Sequence, residues 1–184
     1  ARQEPVQGQS VEAGIGLVDT AHVYSGGDSE RAIGEALSPA PDGLVVATKG
    51  GYSGSGSPDA LRAQIEQSLE SLRTDTIDLY YLHRVDPETP LEKSLGAIAE
   101  YREVGKIKAI GVSAVDVEQI EAAREVVPIA AVQNHYNLME RHEYEDATEA
   151  IVVEHGLSSL PYYSLARGFL TGKYRPGVTI DSPR

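Results

Sequence analysis

The chain has 184 residues and no cysteine, which excludes disulfides and thiolate metal sites. Its hydrophobic content of 41% and charged content of 24% are typical of a globular domain with one core. The formal net charge of −12 predicts repulsion from nucleic acids and anionic membrane surfaces, so neither is expected as a partner. No apolar stretch approaches the roughly 18 residues of a membrane span, and the initial ARQEPVQGQS lacks a signal-peptide layout. We therefore expect a cytoplasmic protein.

Short apolar segments alternate along the chain with segments of helical periodicity, which is the pattern of βα units on a parallel sheet. This repetition leaves two folds open, a (β/α) barrel and an open doubly wound sheet. No G-x-G-x-x-G or P-loop motif follows any of the apolar segments, which weakens the second. The predicted strands are 16–20, 44–49, 77–83, 107–113, 129–134 and 157–163.

The predicted helices carry their own start and stop signals. Ser57 and Pro58 supply an N-cap and a first-turn proline. The segment TPLE from Thr89 predicts a capping box with proline at the first helical position, and Gly105 is expected to end that helix. Asp116 precedes the next helix, and a last amphipathic segment over 142–155 is expected to end at Gly156. The apolar stripe of the first of these helices comprises Leu61, Ile65, Leu69 and Leu72.

Polar residues end most of the apolar segments. In a barrel the carboxyl ends of the strands converge on one face, where active sites are built from several strands. Each residue alone has an ordinary structural explanation, such as a turn carboxylate, an exposed lysine or a hydrogen-bonded histidine. Their joint occurrence favours a catalytic site over a purely structural face. These residues are Asp19, Lys49, His83, Ser113, Gln133, Asn134, Tyr162 and Tyr163, with Tyr24 in the loop after the first strand.

Four of these residues make a plausible acid set. A phenol has a pKa near 10, and we expect Lys49 to lower the pKa of Tyr24, while Asp19 keeps the lysine charged. His83 would then hydrogen-bond a substrate carbonyl oxygen and align it for protonation. The set lacks an electron source or strong nucleophile, so a bound cofactor is expected to supply that chemistry. None of the five histidines lies in a recognisable metal-binding spacing, and no metal site is predicted.

The chain resembles the aldo-keto reductases. The segment VDTAHVYSGGDSERAIGEAL is similar to that family's catalytic loop and its flanking strand and helix, VVATKGGY to its lysine strand, and DTIDLYYLHRVDP to its histidine strand. GKIKAIGVSAVDVEQIEAA, AVQNHYNL and LPYYSLARGFLTGKY resemble the three strand segments that follow. The resemblance runs in family order from Val11 to about Tyr174.

The resemblance implies a (β/α)8 TIM barrel and hydride transfer from a reduced nicotinamide, usually NADPH in the family, to an aldehyde or ketone. It makes Tyr24 the general acid, Asp19 and Lys49 its tuning partners, and His83 the residue that orients the carbonyl. Ser113 and Gln133 match positions that hold the nicotinamide carboxamide, and Tyr162 matches the aromatic residue on which the ring stacks. The loop along the cofactor pyrophosphate is matched by Leu165, Arg167 and Gly168.

The chain departs from the family pattern in three ways. Ala114 stands where the family commonly has asparagine, and Tyr163 where it commonly has serine. A complete barrel needs roughly 250 residues, so we expect residues 1–184 to form one partial barrel domain without its first and last strands. Three explanations of the short chain are open. Segments were removed or are separate, the protein is shortened and a partner covers its sheet edges, or the chain is an inactive fragment. We favour the first, because ARQEPVQGQS resembles joined loop pieces and PGVTIDSPR stops inside a cofactor-covering loop; an intact mass of 19.7 kDa would contradict it.

The leading hypothesis is a nicotinamide-dependent carbonyl reductase acting on a small aldehyde or ketone. A non-catalytic binding or regulatory barrel, and a lyase or dehydratase that reuses the same acid set, are the alternatives. The expected residues at the rim of the substrate pocket are His22, Tyr52 and Arg84. The sequence leaves open which carbonyl is used, whether NADH replaces NADPH, and whether the chain forms homo-oligomers.

Overall fold

Six parallel strands form one sheet in which spatial order equals chain order. The computed structural model describes residues 11–175, 177 and 179; the expectation about ARQEPVQGQS, and most of the expectation about the tail, lie outside these residues. The strands are β1 Leu17–Asp19, β2 Val45–Gly50, β3 Ile77–Leu82, β4 Ile107–Ser113, β5 Ile129–Gln133 and β6 Ser158–Ser159.

A helix follows each of the first five strands. They are α1 Asp28–Leu37, α2 Pro58–Leu72, α3 Leu91–Glu103, α4 Val117–Val126 and α5 Glu149–Glu154. A π-helical turn, Tyr144–Thr148, leads into α5, and 3₁₀ turns occupy Tyr24–Gly27 and Ala166–Thr171. Within the described part of the chain, no helix is long and apolar enough to cross a membrane.

The helix ends agree with the sequence in most cases and differ in one. The Ser57 hydroxyl accepts a hydrogen bond from the Ala60 amide, and Gly105, with a φ of 77°, follows the end of α3. The predicted capping box at Thr89 is wrong. Pro90 is the N-cap of α3 and has no side-chain cap, because the Thr89 hydroxyl donates instead to Asp86. A complete capping box occurs at the start of α4, from Asp116.

All five helices pack on one face of the sheet. The larger apolar cluster joins residues of α1 to α5 with outward-facing strand residues such as Tyr80 and Ile110. A smaller cluster on the other face contains residues of strands or their flanks, among them Ala47, Leu79 and Tyr81. A doubly wound sheet carries helices on both faces and reverses its strand order at a switch point. Sequential strands with helices on one face are instead the arrangement of a (β/α) barrel.

Tyr81 and Gly111 lie opposite each other on β3 and β4, on the inner face. The Tyr81 ring is fully buried, and a Cβ at Gly111 would lie 2.5 Å from ring carbons. A glycine is therefore required at position 111 for the ring to lie across β4.

The predicted sixth strand is too long. Over 157–163 only Ser158–Ser159 is a strand, followed by an isolated bridge between His135 and Tyr162. Pro161 has no amide to donate to a sheet, and Tyr163 has a φ of 57°, outside the extended region. Residues 160–163 therefore cross the end of the sheet as a loop with intermittent backbone pairing.

Candidate active site

Asp19 and Lys49 form an ion pair at the carboxyl ends of β1 and β2. The Lys49 Nζ lies 2.7 Å from Asp19 Oδ2 and donates a second hydrogen bond, of 2.6 Å, to the Thr20 carbonyl oxygen. Lys49 is only 1% exposed, and an ammonium so deeply buried requires such partners. Burial lowers the pKa of Lys49 below its ordinary value, while Asp19 opposes this shift.

Tyr24 lies against this ion pair on a tight turn. Its amide donates to the Ala21 carbonyl, and the next three residues, Ser25, Gly26 and Gly27, have positive φ angles, which explains the two glycines. The Lys49 Nζ lies 5.1 Å from the Tyr24 ring centroid. The ring is 41% exposed, so a small molecule has access to it.

The pKa of Tyr24 is raised, whereas the sequence predicted that Lys49 would lower it. Burial is the main cause, followed by the negative charge of Asp19 and by Tyr163 and Tyr52. The Lys49 ammonium faces the ring and is held by Asp19 and Thr20. Tyr24 is consequently a protonated phenol at neutral pH, which is the form that a proton donor needs.

His83 lies across from Tyr24. The two ring centroids are 5.9 Å apart in an edge-to-face arrangement, and the Tyr52 ring lies 4.8 Å from His83 on another side. Burial, together with the charges of Lys49 and Arg84, lowers the pKa of His83 to about 4. The imidazole is therefore neutral at pH 7 and can act as a hydrogen-bond donor without carrying charge. We call Asp19, Tyr24, Lys49 and His83 the Lys49 cluster.

The three expected rim residues separate into two groups. The Arg84 guanidinium lies 5.5 Å from the Tyr52 ring centroid, and both side chains are exposed beside His83. His22 turns the other way: its side chain is 19% exposed, and its Nδ1 faces Glu30 Oε2 at 4.0 Å. Tyr52 and Arg84 thus border the Lys49 cluster, while the Nδ1 of His22 faces a buried carboxylate.

Further along the sheet, Ser113 and Gln133 are paired in register at the ends of β4 and β5. They are 3% and 5% exposed, and alternation along the strands puts them on the inner face with Lys49. The neighbouring Asn134 has a structural task, because its side chain bonds both the amide and the carbonyl of Val115. The inner face therefore presents one hydroxyl and one amide beyond the Lys49 cluster.

Tyr162 and the turn after it complete this end of the sheet. The Tyr162 ring stacks on His135 with an interplanar angle of 2° and a centroid distance of 5.4 Å, and the Tyr163 ring meets it edge-to-face at 5.2 Å. Ala166, Arg167 and Gly168 have positive φ angles, and the amides of Ala166 and Gly168 donate to backbone carbonyls within the turn. The Arg167 guanidinium lies 4.6 Å from the Tyr163 ring centroid. We call Ser113, Gln133, Tyr162, Leu165, Arg167 and Gly168 the Tyr162 group.

Sequence reasoning missed a set of buried polar residues behind the Lys49 cluster. Glu30 is fully buried in the first turn of α1, where its carboxylate accepts a 2.5 Å hydrogen bond from the Thr48 hydroxyl. The Thr20 and Ser29 hydroxyls are 2.7 Å apart. The sequence does contain a signal for the burial of Glu30. This residue shares the helical face of Ile33, Gly34 and Leu37, all of which are buried. An acidic residue at that position of an apolar face is expected to have a buried partner.

A cavity lies away from the predicted site residues. It has a volume of about 1240 Å³ and is lined at the amino ends of β2 to β4 by residues such as Asp42, Thr74 and Lys106. Lysines on this surface are already paired, Lys106 with Glu66 and Lys108 with Asp78. None of the predicted site residues lines it. Among the described residues there is also no cluster of three or more histidine, aspartate or glutamate side chains able to hold a metal ion.

Comparison with known proteins gives consistent matches over nearly the whole chain. A family model described as the Aldo/keto reductase family matches residues 8–184. The chain is 38% identical over 181 residues to "Aldo-keto reductase YhdN" of Bacillus subtilis, covering 94% of this chain and 54% of that protein. It is 34% identical over 179 residues to "Aldo-keto reductase yakc [NADP(+)]" of Schizosaccharomyces pombe, covering 90% and 53%. The chain thus spans about half the length of these relatives.

Solved structures agree with the fold. The glycerol dehydrogenase AKR11B4 from Gluconobacter oxydans superposes with a TM-score of 0.87 at 36% identity, covering 96% of this chain and 58% of that one. An aldo-keto reductase from Klebsiella pneumoniae in complex with NADPH superposes with a TM-score of 0.78 at 28% identity, covering 94% and 62%. The six strands correspond to part of a barrel of this type.

Proposed function

Because the chain belongs to the aldo/keto reductase family, we propose that the protein reduces a small aldehyde or ketone with a nicotinamide cofactor, and that Tyr24 protonates the carbonyl oxygen. The observation that carries the proposal is the buried ion pair of Asp19 and Lys49 against the ring of Tyr24. A purely structural sheet end has no need of a fully buried ammonium, because desolvation makes it costly.

The side chains of the Tyr162 group fit a nicotinamide dinucleotide. Ser113 and Gln133 offer a hydroxyl and an amide, which suit a carboxamide, and the aromatic ring of Tyr162 suits stacking with a flat ring. The exposed guanidinium of Arg167 suits a pyrophosphate. When bound, the cofactor would supply the hydride that these side chains cannot provide.

The acid chemistry follows from the protonation states of the Lys49 cluster. The neutral His83 imidazole donates a hydrogen bond to the carbonyl oxygen and so orients it toward Tyr24. As the carbonyl carbon gains a hydride and becomes an alcohol carbon, the oxygen takes the phenolic proton of Tyr24. The resulting phenolate lies beside the Lys49 ammonium, which stabilises it until solvent returns the proton. Asp19 keeps that ammonium charged and fixed in place.

We propose NADPH as the cofactor. The support comes from the Schizosaccharomyces pombe relative whose name carries NADP(+) and from the Klebsiella pneumoniae structure that contains NADPH. NADH stays open, and parallel assays with both cofactors distinguish them.

The test is Tyr24→Phe, assayed against a panel of aldehydes and ketones by loss of NADPH absorbance. We expect the variant to lose a factor of about 10² to 10⁴ in kcat, since it keeps the ring but has no proton to give. The Kd for NADPH, measured by fluorescence titration, should stay within about twofold. A variant that keeps most of its turnover would contradict the role of Tyr24. Product formed by the wild-type protein without cofactor consumption would favour a lyase instead.

A further inference from the structure

Glu30 is a buried carboxylate under the loop that carries Tyr24. Its side chain is fully buried, and acidic residues are rarely in that state without a partner. Its Oε1 accepts the hydrogen bond from Thr48. Its Oε2 and the Nδ1 of His22 face each other at 4.0 Å, and neither atom has a hydrogen-bond partner among the described residues. Such a pair of atoms requires an explanation.

The two residues that face Glu30 belong to the two segments that carry the Lys49 cluster. Thr48 directly precedes Lys49 on β2, and His22 lies between Asp19 and Tyr24 in the chain. The carboxylate therefore lies between the strand that holds the ammonium and the loop that holds the phenol.

Other contacts join the same segments. The His22 amide donates a 2.9 Å hydrogen bond to the Lys49 carbonyl, so the β1 to β2 pairing continues past the end of β1. The Thr20 hydroxyl is bonded to Ser29, the residue before Glu30 in α1. Position in the first turn of α1 also favours a carboxylate, because the helix dipole places partial positive charge there.

We propose that Glu30 is a positioning residue, which holds the Tyr24 loop against β2 by accepting hydrogen bonds from Thr48 and His22 and so keeps the phenol beside Lys49. A side-chain movement of about 1 Å brings the His22 contact to hydrogen-bonding distance. The catalytic consequence rests on the proposed reductase function. The titratable groups near Glu30 are His22 and Tyr80. Those near Tyr24 are Asp19, Lys49, His83, Tyr52 and Tyr163.

The first experiment measures turnover in Glu30→Gln, which keeps the side-chain shape and replaces the carboxyl group with an amide. We expect kcat for carbonyl reduction to fall about tenfold, a fraction of what the general acid itself contributes. The basic limb of the kcat pH profile, which reports the Tyr24 phenol, should shift, while the Kd for NADPH stays within about twofold. Thr48→Val, which removes the hydroxyl donor, should lower kcat by a smaller factor, and Thr48→Ser should restore it.

The matched control is Ser68→Ala. Ser68 is also fully buried, its hydroxyl has no hydrogen-bond partner among the described residues, and it lies on α2 away from the Lys49 cluster. We expect its kcat and pH profile to equal those of the wild-type protein. If Glu30→Gln does not fold, the same measurements on Thr48→Val and Thr48→Ser test whether Glu30 positions the Tyr24 loop.

The second experiment needs no activity. Hydrogen exchange of the His22 amide, measured by NMR, reports the bond between the loop and β2. We expect exchange to accelerate about tenfold in Glu30→Gln and to stay unchanged in Ser68→Ala. Unchanged exchange overturns the proposal, as does faster exchange with an unaltered kcat and pH profile. If the wild-type protein reduces no carbonyl with either cofactor, the proposed function fails, and the exchange rates alone decide whether Glu30 holds the loop.

Discussion

The Lys49 cluster and the Tyr162 group differ in what fixes their side chains. In the cluster, buried bonds join neighbouring strands: Lys49 is held by Asp19 and by the Thr20 carbonyl. The Tyr162 group ends in an exposed turn, where Leu165 is 58% exposed and Arg167 contacts only an aromatic ring among the described charge and ring contacts. The side chains of the Lys49 cluster are therefore fixed before any ligand binds, while the Tyr162 group has polar and aromatic surface available to a ligand. We expect substitutions in the first to alter chemistry and substitutions in the second to alter binding.

Lys49→Met should break the cluster and give the largest effect. Methionine fills buried volume but cannot pair with Asp19 or donate to the Thr20 carbonyl, so kcat/KM for a carbonyl substrate should fall about 100-fold or more. The Kd for NADPH should change less than about twofold, because Lys49 lies outside the Tyr162 group. Steady-state kinetics and fluorescence titration measure the two quantities. Equal losses in kcat/KM and in NADPH affinity would show that the Lys49 cluster and the Tyr162 group do not act separately in chemistry and in binding.

Tyr162→Ala tests the other region. Loss of the ring should weaken NADPH binding about tenfold, the value of one aromatic stacking contact. At saturating cofactor, kcat should fall much less. Tyr162→Phe is the matched control, since it keeps the ring and loses only the hydroxyl, and its Kd should stay within about twofold. If Tyr162→Phe binds NADPH as weakly as Tyr162→Ala does, loss of ring stacking does not explain the weaker binding.

The last test concerns the pH dependence of stability through His83. Its pKa is about 4 in the folded protein, against about 6.5 when unfolded. Between these values the unfolded chain binds more protons, so the free energy of unfolding rises with pH and levels off above about 6.5. We expect urea denaturation to give a free energy of unfolding about 2 kcal/mol lower at pH 5 than at pH 7. In His83→Gln the stability difference between pH 5 and pH 7 should shrink by about the same amount. If the variant keeps the full difference, titratable groups other than His83 cause it.

Much of the fold could be predicted because its causes are local. The strands β2 to β5 are largely buried apolar segments, and the order and direction of the strands follow from βα repetition. The sixth strand is shorter than the sequence pattern predicts, because Pro161 has no amide to donate and Tyr163 is left-handed. The capping box at Thr89 failed because Asp86, three residues earlier, offers its hydroxyl a competing carboxylate. That loop contact is not apparent from the TPLE pattern.

The candidate site was predictable in its membership near the strand ends and less so in its electrostatics. The meeting of Asp19, Lys49 and Tyr24 follows from adjacent parallel strands, although their roles stay predictions, as does the single partial domain. The predicted direction of the Tyr24 pKa shift was wrong. The sequence does not show that partial burial and the charge of Asp19 raise the pKa of the phenol, or that the ammonium of Lys49 is already engaged. Glu30 was missed because an acid in a first helical turn is usually a solvated one, and its burial depends on Thr48, 18 residues away.

The close approach of Tyr81 to Gly111 has a consequence for how this interior can evolve. One large ring fills space that belongs to two strands, so neither residue is free to vary alone. A smaller residue at position 81 would leave a void next to Lys49, whose Nζ lies 5.9 Å from the ring centroid, and a side chain at position 111 would collide with the ring. Among relatives with the same strand pairing, we expect positions 81 and 111 to covary, with total side-chain volume nearly constant.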